Sequence, residues 1–204
     1  MRKALFVALF VACTASLAFS QDYKRGEVGA GYSANWVDTQ GAFNVNSNST
    51  GRDRFDGFYV NGGGNWSRYW GVQAEVSHNR KNSDFTSTTG LASNLNGRLT
   101  QFVAGVKLQD NAAETKVRPF ARALVGVAHE SATFRVGTVA GSDSNNGFAG
   151  VFGGGIGFRL SSNADFVTSA DWNPIHSGNN GAGGSSWDHN FRVGLGLNFR
   201  FGGK

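Results

Sequence analysis

The sequence predicts an all-β fold: an eight-stranded antiparallel up-and-down transmembrane β-barrel. Three observations point there. Bulky apolar residues alternate with small or polar ones at period two in eight segments, the pattern of a strand with two unlike faces. Short and long connections between these segments alternate along the chain, as in an antiparallel sheet with inner turns at one end and outer loops at the other. The glycine-rich face is the narrow one, and the face of Phe, Val, Leu and Ala is continuous. An eight-stranded barrel has an interior just wide enough for side chains, so the apolar face is the one that meets lipid.

Composition supports this choice. The 204 residues include 30 Gly, 17 Phe, 2 Pro and 1 Cys, and only 16% are charged, against about a quarter in an ordinary domain. That weakens the case for a helical bundle, which needs Leu, Ala, Glu and Lys at helical spacing. An aromatic content of 13%, with apolar patterning that recurs to the last residues, argues against a long disordered chain.

Residues 1–20 read as a signal peptide: a basic Met1-Arg2-Lys3, an apolar run from Ala4 to Ala12, and small residues up to Ser20. The run is too short to span a bilayer as a helix. Its removal takes Arg2 and Lys3, so the net charge falls from +5 to +3, and the only Cys, Cys13, leaves with it. An exported chain without Cys is not a disulfide scaffold. Residues 21–204 are then one barrel domain.

The segments follow in order. Residues 26–36 set Val28, Ala30, Tyr32, Ala34 and Trp36 against Glu27, Gly29, Gly31, Ser33 and Asn35. Residues 57–66 set Phe58, Val60 and Trp66 against Tyr59, Asn61 and Asn65. Residues 70–78 set Trp70, Val72, Ala74 and Val76 against Gln73, Glu75 and Ser77. Residues 98–108 set Phe102, Ala104, Val106 and Leu108 against Gln101, Gly105 and Lys107. Residues 117–129 set Val117, Ala121, Ala123, Val125 and Val127 against Arg118, Arg122, Gly126 and Ala128. Residues 148–160 set Phe148, Phe152, Ile156, Phe158 and Leu160 against Ala149, Val151, Gly153, Gly155, Gly157 and Arg159. Residues 165–173 set Phe166, Ala170 and Trp172 against Asp165, Ser169, Asp171 and Asn173. Residues 190–201 set Phe191, Val193, Leu195, Leu197, Phe199 and Phe201 against Arg192, Gly194, Gly196, Asn198 and Arg200.

The short connections are 67–69, 109–116 and 161–164; the long ones are 37–56, 79–97, 130–147 and 174–189. The prolines, Pro119 and Pro174, fall at strand ends, where a missing N–H is tolerated. Outward aromatics gather at both ends: Trp66, Tyr69, Trp70, Phe199 and Phe201 at the short-turn end, Trp36, Trp172 and Phe191 at the other. They predict two interfacial girdles.

At this point the chain resembles a known family. It is similar to the small outer-membrane barrels typified by the membrane domain of outer membrane protein A and the OmpX-like proteins. The resemblance rests on Gly57-Phe58-Tyr59-Val60-Asn61-Gly62-Gly63-Gly64, on Val117-Arg118-Pro119-Phe120-Ala121, and on the ending Phe191 to Phe201, with Gly196, Phe199 and Phe201 similar to the family's assembly signal. It implies the outer membrane of a Gram-negative cell and insertion by the barrel assembly machinery.

The inward ionisable residues are Glu27, Glu75, Asp165, Asp171, Lys107, Arg118, Arg122, Arg159, Arg192 and Arg200. In so narrow a lumen they read as a plug of internal ion pairs, because an unpaired buried charge is expensive; the alternative is an ion path or gate. His78, His129, His176 and His189 lack metal-ligand spacing. His129 and Ser131 share a strand face, as do the His and Ser of barrel lipid hydrolases, but no partner acid is identifiable. No cofactor is implied. Scattered Lys and Arg in an exported chain do not point to nucleic acid. Arg52, Arg54, Arg80 and Lys81, placed in outer loops, are expected to meet lipopolysaccharide phosphates.

The expected role is structural or surface-interacting, non-enzymatic and monomeric: envelope integrity, adhesion or recognition through loops. The alternatives are a narrow channel for small solutes, a barrel lipid hydrolase, and a soluble periplasmic carrier.

Overall fold

The computed structural model describes residues 23–39, 51–86, 92–112, 114–177 and 186–203. The expected signal peptide, residues 1–20, and the polar stretch 43–50 lie outside the described residues. Eight strands follow one another: β1 (Gly26–Asp38), β2 (Arg52–Asn65), β3 (Trp70–Thr86), β4 (Ala92–Gln109), β5 (Val117–Val136), β6 (Val139–Arg159), β7 (Ala164–Ser177) and β8 (Ser186–Phe201). Each pairs antiparallel with its neighbours, and β8 returns to β1, so the sheet is a closed barrel. There is no helix among the described residues. Closure is what lipid demands, since an open strand edge would leave backbone N–H and C=O groups without partners.

The two faces fall as the alternation predicts. Phe58, Val60, Val72, Phe102, Val106, Val125, Val127, Leu195 and Phe199 are exposed on the outer wall. Glu27, Ser33, Asn35, Tyr59, Asn61, Gln73, Glu75, Lys107, Arg118 and Asn198 are buried inside. Trp66, Tyr69, Trp70, Phe199 and Phe201 are exposed at the short-turn end, Trp172 and Phe191 at the other, with Trp36 half-buried against Phe191. Along β8, Phe191 and Phe201 are ten positions apart. That is about 33 Å of strand, or about 25 Å along the axis at a tilt of ~40°, the height of an apolar membrane band.

The long-connection end differs from the sequence expectation. Residues 130–147, expected as a loop, form the outer part of β5 and β6, a hairpin that turns at Gly137-Thr138. Gly137 takes a left-handed φ of 58° there, which costs glycine nothing. Strand also replaces expected loop at 52–56, 79–86, 92–97 and 186–189. The cause is solvent. Above the membrane both faces of a strand are wet, so pairing continues while the apolar alternation that reveals a strand disappears. For the same reason Pro174 lies inside β7 rather than at its end. The β6–β7 ladder pairs Phe148 with His176 and Ala149 with Ile175, then resumes only at Phe152 and Trp172, because proline has no N–H to give.

The short connections are tight. Asn65, Trp66 and Ser67 are tied back to Arg25 and Trp70 by backbone hydrogen bonds, and the Ser67 hydroxyl accepts from the Tyr69 and Trp70 N–H groups. The β4–β5 connection is pinned by Asp110, which accepts from the Ala112 N–H and pairs with Arg68 at 2.9 Å.

Glycine on the inner face makes room for large side chains. A Cβ at Gly31 would stand 2.7 Å from the Tyr59 ring, and one at Gly196 would stand 2.5 Å from its hydroxyl. Both distances are closer than carbon and oxygen tolerate, so the Tyr59 ring lies where it does because β1 and β8 carry glycine beneath it.

Candidate functional site

The chemistry-bearing residues of this chain converge in the lumen. Side chains at i and i+2 share a face, so every second residue of each strand enters it, and β closure sets which of them meet. At the short-turn end, Asp165 on β7 holds two arginines, Arg118 of β5 at 2.7 Å and Arg200 of β8 at 2.7 Å. Arg118 also donates to the Ala112 carbonyl at 3.1 Å. Across the lumen, Lys107 of β4 pairs with Glu27 of β1 at 2.5 Å.

One level higher lies a closed ring of four charges. Arg122 pairs with Glu75 at 2.9 Å and with Asp171 at 2.7 Å; Arg192 pairs with the same two carboxylates at 2.6 Å and 3.3 Å. The four residues come from β3, β5, β7 and β8, and all are buried. Phe120 links the levels: the Lys107 ammonium lies 5.0 Å from its ring centre and the Arg122 guanidinium 5.8 Å. Two positive and two negative charges cancel within the ring, which is how several buried charges can share one site.

Toward the outer mouth the lumen changes character. Val37, Phe55, Leu99, Val103, Leu124, Ala128, Ala149, Val151 and Ile175 form an apolar layer. Gln101 and Asn173 lie at its level and exchange two amide hydrogen bonds, at 2.9 Å and 3.0 Å. Above it, Asp53 pairs with Lys81 at 2.5 Å and accepts from the Thr39 hydroxyl. Sequence reading by itself missed this layer. A Val or Leu on the inner face of an otherwise polar strand looks like noise in the alternation, and only closure shows that nine such residues touch one another.

Each remaining candidate has a definite place. Arg159 sits at the rim and donates to the Ser161 carbonyl at 3.2 Å. His129 Nδ1 is hydrogen-bonded to Asn146 Oδ1 at 2.8 Å and stands on the outer wall; Ser131 follows on the same face, and Glu130 points the other way. His78 is bonded to Thr100 at 2.8 Å. His176 stacks on Trp187 and His189 on Trp172. Among the described residues no three His, Cys, Asp or Glu side chains gather as a metal site would need. Arg52, Arg54, Arg80 and Lys81 lie on strands β2 and β3 rather than in loops. Lys81 does not face outward: it turns into the mouth toward Asp53. The strands continue past the membrane, and period two then assigns Lys81 to the inner face.

The family model described as the outer membrane protein beta-barrel domain matches residues 4–199. The chain belongs to that family. It is an outer-membrane protein, and its strands cross the membrane. The soluble-carrier alternative falls with this, as does any arrangement with the apolar face inward.

Solved structures of the same fold include Ail, the attachment invasion locus protein of Yersinia pestis. It is 18% identical to this barrel, with a TM-score of 0.56 over 88% of this chain and 99% of that one. Ail is also solved in complex with the heparin analogue sucrose octasulfate. A major outer membrane protein of Thermus thermophilus is 11% identical, with a TM-score of 0.55 over 86% of this chain and 99% of that one. Identities this low speak for the fold alone. No curated protein sequence matches this barrel.

Proposed function

We propose that this barrel is a monomeric, non-enzymatic component of the outer membrane whose work is structural and surface-interacting: it contributes to envelope integrity and presents its outer hairpins for adhesion or recognition. The observation that carries the reading is the filled lumen. Three groups of ion pairs and a nine-residue apolar layer occupy the interior in series, and a file of water or solute would have to displace both. The ion pairs act as a plug rather than as a path, because moving either partner of a buried pair leaves the other unpaired. The elements free to meet a partner are those above the membrane, the β5–β6 hairpin foremost, and binding sites commonly sit on such projections of a rigid scaffold. Insertion by the barrel assembly machinery, guided by the Phe199 and Phe201 ending, belongs to the same reading.

Planar-bilayer recording of the purified, heat-modifiable barrel tests it. Silence at ordinary voltages is expected. A reproducible open level would replace the plug with a narrow channel. Envelope permeability to a large antibiotic should rise when the gene is deleted and recover with a barrel lacking residues 131–145 only if integrity resides in the barrel and not in that hairpin.

A further inference from the structure

The outer wall above the apolar band changes in three successive rows across β2 to β5. The lowest is Val60, Val76, Phe102 and Val127, all exposed and in register. The next is Phe58, His78, Thr100 and His129, with His78 bonded to Thr100. The third is Asp56, Arg80, Arg98 and Ser131. Arg80 of β3 and Arg98 of β4 thus stand directly opposite each other on neighbouring strands, both exposed.

Like charges opposite each other weaken a sheet. Among the described residues neither arginine forms an ion pair, and the one carboxylate of their row, Asp56, is held at 2.8 Å by Arg54, which also bonds the Tyr32 hydroxyl at 2.7 Å. The two steps from the Val76 row to the arginine row rise about 13 Å along the strand, or about 10 Å along a barrel axis tilted by ~40°. A flexible arginine stem reaches back toward lipid from that height, into a headgroup layer about 5–7 Å thick.

We propose that Arg80 and Arg98 form a two-arginine clamp for a phosphate monoester on the glycolipid of the outer leaflet, the lipid A portion of lipopolysaccharide. Two guanidinium forks bring two positive charges and paired donors. A phosphomonoester carries about −1.5 to −2 charges and three acceptor oxygens, so it balances the pair. A phospholipid diester carries one charge and leaves half the repulsion in place. The assignment rests on the outward orientation of the hairpin end, and it names the lipid that this part of the proposed outer surface holds.

The test uses the full barrel in phosphatidylcholine nanodiscs, titrated with bis-phosphorylated lipid A, with dephosphorylated lipid A and with phosphatidylglycerol, and read by tryptophan fluorescence. The double variant Arg80→Ala/Arg98→Ala is expected to bind bis-phosphorylated lipid A at least ten-fold more weakly, with a shallower salt dependence. Its binding of dephosphorylated lipid A should not change. Arg80→Lys/Arg98→Lys should keep part of the affinity, and Arg135→Ala all of it. Heat-modifiable mobility confirms that each variant is folded. Unchanged affinity in the double alanine variant overturns the clamp, and so does equal binding of the dephosphorylated lipid. Equal binding of phosphatidylglycerol overturns the monoester assignment, and competition by micromolar inorganic phosphate overturns the lipid source. Orientation is checked apart: Thr138→Cys should react with a membrane-impermeant maleimide on intact cells, and protection there would overturn the outward placement without touching the nanodisc result.

Discussion

The lower and upper halves of this lumen solve one packing problem with opposite chemistry. Both are narrow, buried and closed by the same eight strands. The lower half is filled by Arg118, Arg122, Arg192, Arg200 and Lys107 with their carboxylates; the upper half is filled mainly by Leu, Val, Ile, Ala and Phe, with the Gln101–Asn173 amide pair among them. The lower contacts are directional and need matched partners from several strands, so they hold the strand register. The upper apolar contacts are interchangeable and cost nothing to desolvate, so they separate the charges from water at the mouth. The difference teaches that burial alone does not say what a lumen residue contributes: a charge there is worth its partners, and an apolar side chain its volume.

The comparison is most easily broken in the lower half. Arg122→Met removes one member of the four-charge ring and leaves Glu75 and Asp171 sharing Arg192. A loss of about 3–5 kcal/mol is expected for stranding buried charge, seen as a lower urea midpoint for unfolding from detergent micelles. Adding Asp171→Asn should restore much of it, because the remaining Glu75–Arg192 pair is neutral again and no longer carries uncompensated charge. If the double variant is no better than the single one, the ring is not held together by charge balance.

In the upper half, Leu124→Ala opens a hole in a fully buried layer. About 3 kcal/mol is expected, and no neutral partner change should rescue it. Neither this variant nor Arg122→Met is expected to conduct, since each leaves the other half filled; steady current from either would assign the seal to one half alone.

Glycine sharpens the contrast on a smaller scale. Gly31→Ala would place a Cβ 2.3 Å from the Leu195 carbonyl oxygen and 2.7 Å from the Tyr59 ring, whereas Gly62→Ala would find its nearest atom at 4.0 Å. The first should cost about 1–3 kcal/mol through overpacking, and the second should be nearly neutral in the same unfolding assay.

The smallest effect belongs to the exposed turn. Arg68 holds the Asp110 carboxyl below the usual carboxylate range, its hydrogen bond outweighing the opposing effect of partial burial. A depressed carboxylate adds stability above its unfolded pKa and loses it as pH falls through the folded value. Asp110→Asn should therefore lower the unfolding midpoint slightly at pH 7 and make no difference in strong acid. A variant that differs equally at both pH values would show that the pair's charge is irrelevant to the turn.

Much of this molecule is legible before folding. The alternation in residues 190–201, the glycine-rich reverse face and the paired aromatics at both ends dictate a barrel with its greasy wall outside, because period two is local and lipid leaves only closed sheets. The inward charges were also legible as a set, since Glu75, Arg122, Asp171 and Arg192 each lie on the polar face of their own strand. Their partnership was not. Glu75 and Arg192 are far apart in sequence, and only closure and register bring four strands to one point. The same holds for Val37 touching the layer around Leu124, for Tyr59 resting over Gly31 and Gly196, and for the Arg80–Arg98 pair. The outer hairpins escaped for a different reason: where water bathes both faces, backbone pairing persists without any side-chain signature. The sequence by itself determined the class of fold and the sign of each face, through local periodicity and the solvent it implies. The tertiary structure alone decided which side chains meet, because contacts across a closed barrel depend on register, a property of strand pairs and not of any one strand.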